Sequence, residues 1–336
     1  MILNIKNLVI SFNTENGRVT AVDGVSFNLK QGTTLGIVGE SGCGKSVTAL
    51  SIMGLLPKPS GKIESGSIEF RGTNIVELMD KTADFQGKQK FTSKIDSMQK
   101  IRGRQISMIF QEPMTALNPV HKIGVQMNEV YKLHFPEMQR REMESSSIEM
   151  LRQVGIATPE KLMHQYPHQL SGGMRQRVMI AMALSSKPDI LIADEPTTAL
   201  DVTVQAQILD MINELKQKLS MSVILITHDL GVIAENCDDA VVMYGGRIAE
   251  KAGVFELFKN PLHPYTQGLL KSIPNLTRTP KTILPAIKGM VPSLENMPSG
   301  CRFSNRCDDV MDICKTVSPD EIELVAGHFV ACHKFL

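Results

Sequence analysis

The stretch that decides the fold is Thr34-Leu-Gly-Ile-Val-Gly-Glu-Ser-Gly-Cys-Gly-Lys-Ser46. Its first five residues have the apolar character of a short buried strand, and residues 47–55 after it are predicted to be helical. Gly39–Ser46 matches G-x-x-x-x-G-K-[ST], a pattern in which backbone N–H groups of a glycine-rich loop cradle phosphates. The loop lies between a strand and a helix, and a helix N-terminus attracts anions. The stretch therefore predicts an α/β protein that binds a nucleotide.

Each position of this loop has an expected role. Lys45 is expected to neutralise the β- and γ-phosphates, and the hydroxyl of Ser46 can ligate Mg²⁺. Cys43 is interpreted as a small residue without a catalytic role. The alternative is a glycine-rich turn with an unrelated lysine. The predicted phosphate contacts come from Gly39, Ser41, Gly42, Cys43, Gly44, Lys45 and Ser46.

Length and composition limit the class of protein. The 336 residues suit about two domains, and 42% hydrophobic with 21% charged residues is typical of a globular chain. The 36 Lys and Arg against 35 Asp and Glu give a net charge of +1, which favours no nucleic-acid partner. There is no run of about 18 apolar residues and no signal peptide at the start. A soluble, cytoplasmic protein is expected.

Apolar strands alternate with helical segments along the chain. Strand-like segments before residue 30 are joined by a hairpin turn at Asn16-Gly17. Continuous apolar runs of the kind buried in a parallel sheet occur at 106–110, 190–193, 223–227 and 240–244, and helices are predicted over 137–155, 172–186 and 203–220. Residues 81–104 are interpreted as a solvated excursion. The proline-rich tail places a domain boundary after residue 257, which divides the chain into 1–257 and 258–336.

Three polar residues follow predicted strands directly. Asp194 ends one apolar strand and suits a Mg²⁺ ligand, while Glu195 is placed to orient or deprotonate an attacking water. His228 follows the next strand, at the sheet edge where ligands collect in α/β proteins. The alternatives are a helix cap or solvated turn for the acids and a structural role for the histidine.

A second anion-binding helix start is predicted at Leu170-Ser-Gly-Gly-Met-Arg-Gln-Arg177. Ser171 can cap the helix, and the glycines leave N–H groups exposed. Such a segment is also an ordinary helix-entry loop. One explanation for two phosphate-binding helix ends in one chain is that the second serves a nucleotide on a partner subunit.

These residues together resemble the ATP-binding subunit of an ABC transporter. The phosphate loop, Gln111 in Phe-Gln-Glu-Pro, the Ser-Gly-Gly signature, the paired acids, Ala199-Leu-Asp201 and His228 occur in the order of that family. The resemblance implies a RecA-like P-loop core with an antiparallel β subdomain, a helical signature subdomain at about 112–180 and a small C-terminal extension. It also implies ATP hydrolysis with Mg²⁺.

The same resemblance implies further roles for individual residues. ATP would lie between the Lys45 loop and the Ser171 and Gly173 signature of an opposing subunit. Gln111 would sense the γ-phosphate and Mg²⁺, and Asp201 would couple the two sites of the dimer. Phe12 resembles the aromatic residue that stacks on adenine; a core phenylalanine is the alternative.

A narrower resemblance is to the dipeptide and oligopeptide permease ATPases, as the "D" member of their ATPase pair. It is carried by residues 174–183 and 197–203 and by the tail Asn260-Pro-Leu-His-Pro-Tyr-Thr-Gln-Gly-Leu-Leu270. The implied partners are a second ATP-binding subunit, two transmembrane permease subunits and an extracytoplasmic peptide-binding protein, with this chain at the cytoplasmic face of the membrane. The alternatives are import of nickel or another small solute, and a soluble ABC-type ATPase acting on DNA or ribosomes.

Four of the six cysteines lie in the last 36 residues, with the spacing C-x₅-C-x₆-C-x₁₇-C. Thiolates select iron–sulfur clusters or Zn²⁺, and the resemblance implies a [4Fe–4S] cluster. Zn²⁺ and a small apolar lobe with reduced thiols remain the alternatives. A proline-rich tail is expected to have little core of its own, so a four-thiolate site would help it to fold. The cysteines are Cys301, Cys307, Cys314 and Cys332.

Overall fold

The computed structural model of the chain describes residues 1–80, 97–111, 116–198, 200–273 and 285–336. Within them the chain forms two compact units, residues 1–76 with 225–336 and residues 77–224. The 258–336 extension belongs to the same unit as the phosphate loop, so the boundary expected after residue 257 is not where the compact units divide.

The first unit contains an antiparallel sheet formed by the N-terminal strands. Its order is β2-β1-β4-β5, and β1 and β2 pair up to Thr14 and Gly17 around the predicted hairpin turn. The two segments expected before this turn form one long strand, which has irregular register between Ile5 and Leu8. The strands are β1 Leu3–Thr14, β2 Gly17–Leu29, β4 Gly61–Phe70 and β5 Thr73–Asn74.

Part of a second sheet, in this unit, carries the phosphate loop. Within the unit the strand order is β11-β12-β10-β9-β3-β8, of which β8 belongs to the unit from Leu225 onward. Strands β3 and β9 are parallel, as their apolar sequences predict. Its strands are β3 Thr34–Val38, β8 Ser222–Thr227, β9 Asp239–Tyr244, β10 Arg247–Gly253, β11 Ile322–Val325 and β12 His328–Val330. The α-helices of the unit are α1 Lys45–Ile52, α9 Leu230–Asn236, α10 Val254–Lys259, α11 Pro264–Lys271 and α12 Asp312–Thr316, and α2 Val76–Asp80 begins at its edge.

The second unit combines the parallel strands β6 and β7 with helices. The helices predicted at 137–155, 172–186 and 203–220 correspond to α5, α7 and α8. Residues 81–96 of the expected excursion lie outside the described residues, but 97–101 form a helix that buries Met98 and Ile101 rather than a solvated segment. The elements are β6 Ile106–Ile109, β7 Ile190–Asp194, α3 Ser97–Ile101, α4 Ile123–His134, α5 Arg140–Gln153, α6 Pro159–Leu162, α7 Gly172–Leu184 and α8 Val202–Leu219.

The extension shares a hydrophobic core with the sheet that carries the phosphate loop. Tyr265 and Phe303 are buried against Tyr244 of β9, with ring centroids 4.8 and 5.1 Å from that tyrosine. Cys237 is partly buried and packs on this cluster. Aromatic side chains bury large apolar areas and so contribute strongly to a core. The extension is therefore stabilised by a core that it shares with the sheet.

Hydropathy of the helices bears on membrane insertion. In the described parts of the chain, no helix combines the length and the apolar character needed to cross a bilayer.

A buried carboxylate joins the start of the extension to this sheet. Glu250 of β10 is fully buried and accepts hydrogen bonds from the Leu262 and His263 N–H groups, each at 2.8 Å. Its Oε1 lies 2.7 Å from His328 Nε2. These bonds satisfy backbone groups that water cannot reach.

Replacing this carboxylate should destabilise the protein. We expect Glu250→Ala to lower the free energy of unfolding by about 3 kcal/mol, because two buried N–H groups and an imidazole lose their acceptor. Urea denaturation followed by circular dichroism measures the loss. Glu321→Ala, which removes an exposed ion pair with Lys251, is the control and should cost below about 1 kcal/mol. Equal losses for the two variants would contradict the prediction.

Candidate functional site

The phosphate loop passes so close to neighbouring backbone that two of its positions require glycine. A Cβ atom on Gly39 would lie 2.2 Å from the Met243 carbonyl oxygen, and one on Gly44 would lie 2.8 Å from the Ala21 carbonyl oxygen. Gly44 also has a left-handed backbone with φ of 97°. It precedes the first residue of α1, whose N-terminus has no side-chain cap. The first N–H groups of an α-helix have no partner within the helix, and such groups can bind an anion.

Lys45 is folded back across the loop. Its side chain is buried, and Nζ donates hydrogen bonds to the carbonyl oxygens of Gly39 at 2.7 Å and Glu40 at 3.1 Å. Burial raises the pKa of the Cys43 thiol, although the nearby Lys45 ammonium acts to lower it. Ser41 and Gly42 are exposed, and Ser46 is half-buried. The loop thus presents an ammonium group and backbone N–H groups in one short segment.

In the second unit, residues at the carboxyl ends of β6 and β7 come together. Gln111 Nε2 donates to Glu195 Oε2 at 3.1 Å, and Thr198 Oγ1 donates to the same oxygen at 2.9 Å. The contact follows from the topology, because β6 and β7 are parallel neighbours. Glu195 adopts a φ of 47°, an uncommon backbone for a glutamate, and Asp194 before it is buried at the end of β7. The carboxylate of Glu195 is oriented by two side chains.

The predicted signature forms the start of α7. Ser171 caps this helix, accepting a hydrogen bond from the Met174 N–H at 3.3 Å. A Cβ atom on Gly172 would meet nothing within 4 Å, and one on Gly173 would meet only Val204 Cγ1, at 3.4 Å. Packing within the described part of the chain therefore does not account for the two glycines.

Asp201 and Gln176 form hydrogen bonds that fix segments next to the start of α7. Asp201 caps α8 through a 3.0 Å hydrogen bond from the Val204 N–H. Gln176 of α7 is buried, and its Nε2 donates to the Pro196 carbonyl oxygen at 2.5 Å. This contact ties the signature helix to the loop after Glu195. Gln176 lies in the signature segment predicted from the sequence but was given no role there, because a contact with a distant carbonyl oxygen leaves no signal in the sequence.

The remaining predicted residues lie in the unit with the phosphate loop. His228 is exposed and directly follows β8. Phe12 is half-buried, and its ring covers Gly61, where a Cβ atom would lie 2.8 Å from Phe12 Cε1. The units divide the predicted site residues: Phe12, residues 39–46, His228 and the four tail cysteines belong to the first, and Gln111, Ser171, Gly173, Asp194, Glu195 and Asp201 to the second.

The four tail cysteines are free thiols that influence one another electrostatically. Burial, with a smaller contribution from neighbouring cysteines, raises the pKa of Cys301 and Cys332 and raises that of Cys307 to about 11. Across the described ranges, however, no group of three or more His, Cys, Asp or Glu side chains is arranged to hold a metal ion. The arrangement gives no support to a bound metal.

Comparison with known proteins decides the family. Residues 22–198 match the ABC transporter family, and residues 249–314 match the family described as "Oligopeptide/dipeptide transporter, C-terminal region". The chain belongs to the ABC transporter family. It is an ABC-type ATPase with the P-loop fold that the sequence predicts.

Sequence similarity to known relatives extends over almost the whole chain. DppD of Bacillus subtilis, a dipeptide transport ATP-binding protein, is 49% identical over 331 residues, which cover 98% of this chain and 94% of DppD. OppD of Escherichia coli, an oligopeptide transport ATP-binding protein, is 47% identical over 333 residues, covering 99% of this chain and 93% of OppD.

Solved structures agree on the fold. The dimeric ATP-binding cassette MJ0796, bound to ADP and Pi, is 25% identical, with a TM-score of 0.62 and coverage of 75% of this chain and 98% of that one. The protein cbiO1 from Clostridium perfringens, part of the transporter complex cbiONQ, is 27% identical, with a TM-score of 0.60 and coverage of 77% and 91%.

The close backbone contact at Gly39 gives a direct test of the phosphate loop. We expect Gly39→Ala to weaken ATP binding at least tenfold, because the added methyl group would collide with the Met243 carbonyl and displace the loop. Equilibrium titration with a fluorescent ATP analogue measures the change. Gly32→Ala, at another left-handed glycine but with open space around it, is the control and should retain wild-type affinity. Unchanged affinity in Gly39→Ala would contradict this account of the loop.

Proposed function

We propose that this chain is the ATP-hydrolysing subunit of an importer that takes up dipeptides or oligopeptides. The observation that carries the proposal is the second family match, over residues 249–314, because that C-terminal region is the one described for oligopeptide and dipeptide transporters. DppD and OppD, which are named for dipeptide and oligopeptide transport, support the same cargo over nearly full length.

The proposed chemistry is phosphoryl transfer from ATP to water. Lys45 and the N–H groups of the loop would bind the β- and γ-phosphates, and their positive potential would stabilise the charge of the transition state. Glu195, already oriented by Gln111 and Thr198, would orient the attacking water and take its proton. His228 is proposed to contact the γ-phosphate, and Phe12 to stack on adenine.

The side chains proposed to hold Mg²⁺ are Ser46, Gln111 and Asp194. They suit this ion, because Mg²⁺ prefers oxygen ligands and Asp194 is a buried carboxylate at the end of β7. The ion supplies electrostatic stabilisation of the phosphate oxygens during transfer.

The proposed partner at the nucleotide is a second ATP-binding subunit. Its support is the open start of α7, where the glycines at 172 and 173 are not required by packing within the chain. Glycine lets a ligand approach the backbone closely, so Ser171 and Gly173 are proposed to contact ATP held by the opposing subunit. Asp201, which caps α8, would couple the two sites.

The remaining partners follow from the proposed role. They are two transmembrane permease subunits, with Gln111 linking them to the nucleotide site, and an extracytoplasmic peptide-binding protein. The chain itself would lie at the cytoplasmic face of the membrane. A nickel or other small-solute importer is the alternative cargo, while the names of the relatives do not favour an ATPase acting on DNA or ribosomes.

A transport assay with a matched variant tests this proposal. In vesicles reconstituted with the cognate permease subunits, second ATPase and binding protein, we expect the wild-type chain to drive uptake of labelled di- and oligopeptides. Glu195→Gln should bind ATP normally but lower ATP turnover and uptake at least 100-fold, because the amide cannot accept the proton of the water. The variant should also accumulate the ATP-bound dimer.

The control is Glu214→Gln, which changes an exposed glutamate on α8 and should transport as the wild type does. Uptake of nickel without peptide uptake would contradict the proposed cargo. Wild-type turnover in Glu195→Gln would contradict the proposed role of that residue.

We further propose that the four tail thiols hold a [4Fe–4S] cluster. The support is chemical: four thiolates are the ligand set of such clusters. In addition, the Cys301 N–H donates to the Cys314 carbonyl oxygen at 2.8 Å, so these two residues are neighbours. A Zn²⁺ ion held by the same thiolates is the alternative.

Spectroscopy and metal analysis test the cluster. Protein purified without oxygen should absorb broadly near about 400 nm and contain about four iron atoms per chain. Cys314→Ala should lose most of this absorbance, whereas Cys237→Ala, outside the group, should keep it. Colourless protein with four titratable tail thiols and no iron would reject the proposal.

A further inference from the structure

A buried arginine of the extension makes a two-bond contact with the phosphate loop. Arg306 lies between Phe303 and Cys307 in sequence, and its side chain is only 3% exposed. Its Nη1 donates to Glu40 Oε2 at 2.6 Å and its Nη2 to Glu40 Oε1 at 3.1 Å. Paired bonds of this kind between a guanidinium and a carboxylate are strong and directional. Glu40 is the second residue of the loop.

The guanidinium is itself held in place by the extension. Its Nε donates to the Lys288 carbonyl oxygen at 2.9 Å, and its Nη2 also donates to the Gly289 carbonyl oxygen at 3.2 Å. The Tyr244 hydroxyl of β9 lies 3.4 Å from Nη1. Arg306 is thus fixed by backbone carbonyls before it meets the loop, so little entropy is lost in forming the contact.

Glu40 is constrained through its backbone as well as its side chain. Its N–H donates to the Tyr265 hydroxyl at 2.9 Å, and its carbonyl oxygen accepts from Lys45 Nζ at 3.1 Å. Tyr265 is fully buried and belongs, like Arg306, to the extension. Two side chains of the extension, those of Tyr265 and Arg306, therefore form hydrogen bonds with Glu40, the residue next to Gly39.

The charge of Glu40 gives this contact a functional consequence. A carboxylate in a loop that binds phosphates repels them unless a positive charge neutralises it. Its only cationic side-chain partner among the described residues is Arg306; Lys45 contacts the backbone oxygen. We propose that Arg306 is a positioning residue for ATP: it neutralises Glu40 and holds the loop open for the phosphates, which makes the extension part of the nucleotide site. The inference rests on the proposed binding of ATP at this loop.

ATP binding by a set of full-length variants tests the inference. The probes are ATP and a fluorescent ATP analogue, with affinity measured by titration and KM by steady-state hydrolysis. Arg306→Gln should weaken ATP binding at least tenfold and raise KM, with kcat within about threefold, because the unpaired carboxylate repels bound phosphates before the chemical step. Glu40→Gln in the Arg306→Gln background should restore affinity to within about threefold of wild type.

The matched control is Lys334→Gln, which removes one positive charge from the extension at an exposed pair with Asp309. It should bind ATP as the wild type does. Wild-type affinity in Arg306→Gln would overturn the inference. So would an Arg306→Gln defect that Glu40→Gln does not relieve, since a purely structural role would not respond to loss of the carboxylate.

If Arg306→Gln does not fold, Arg306→Lys replaces it. Lysine keeps the charge but cannot form both bonds to the carboxylate, so a smaller loss of two- to fivefold is expected, again relieved by Glu40→Gln. Unchanged affinity in Arg306→Lys would then overturn the inference. Failure of the wild-type protein to bind ATP would instead reject the proposed function, which separates the two results.

Discussion

The close approach of the phosphate loop to neighbouring backbone is the constraint on which the rest of the site depends. Gly39 lies against the Met243 carbonyl and Gly44 against the Ala21 carbonyl, so these two positions have room for backbone only. The Lys45 ammonium lies within the same confined segment, bonded to the carbonyl oxygens of Gly39 and Glu40. Preorganised dipoles need no rearrangement when they stabilise phosphate charge, which is the main catalytic resource of phosphoryl transfer.

The extension belongs to this arrangement both structurally and electrostatically. Its aromatic residues Tyr265 and Phe303 pack on Tyr244 of the strand that confines Gly39. Glu250 anchors its first turn, and Arg306 meets the carboxylate of Glu40. The extension follows the nucleotide-binding fold in sequence. Through apolar packing and buried polar contacts, it supports the phosphate loop of that fold.

In the second unit, the order and direction of the strands determine which polar residues meet. Parallel neighbours β6 and β7 end side by side, so Gln111 and the Glu195 loop meet although 84 residues separate them. Gln176 then joins the signature helix to the same loop. Gln111, the loop after β7 and helix α7 therefore share one hydrogen-bonded framework, so a displacement of this loop would be transmitted to α7.

Local patterns were sufficient to predict the strand, loop and helix around Lys45, the parallel strands, and the family, because glycine spacing and apolar runs act over a few residues. The same patterns could not show that Met98 is buried, that Arg306 lies on Glu40, or that the proline-rich tail shares a core with β9. Those features depend on contacts between residues up to 266 positions apart. Such contacts leave no periodic signal in the sequence. An arginine that becomes buried cannot be told from one that stays exposed until folding brings its carboxylate partner beside it.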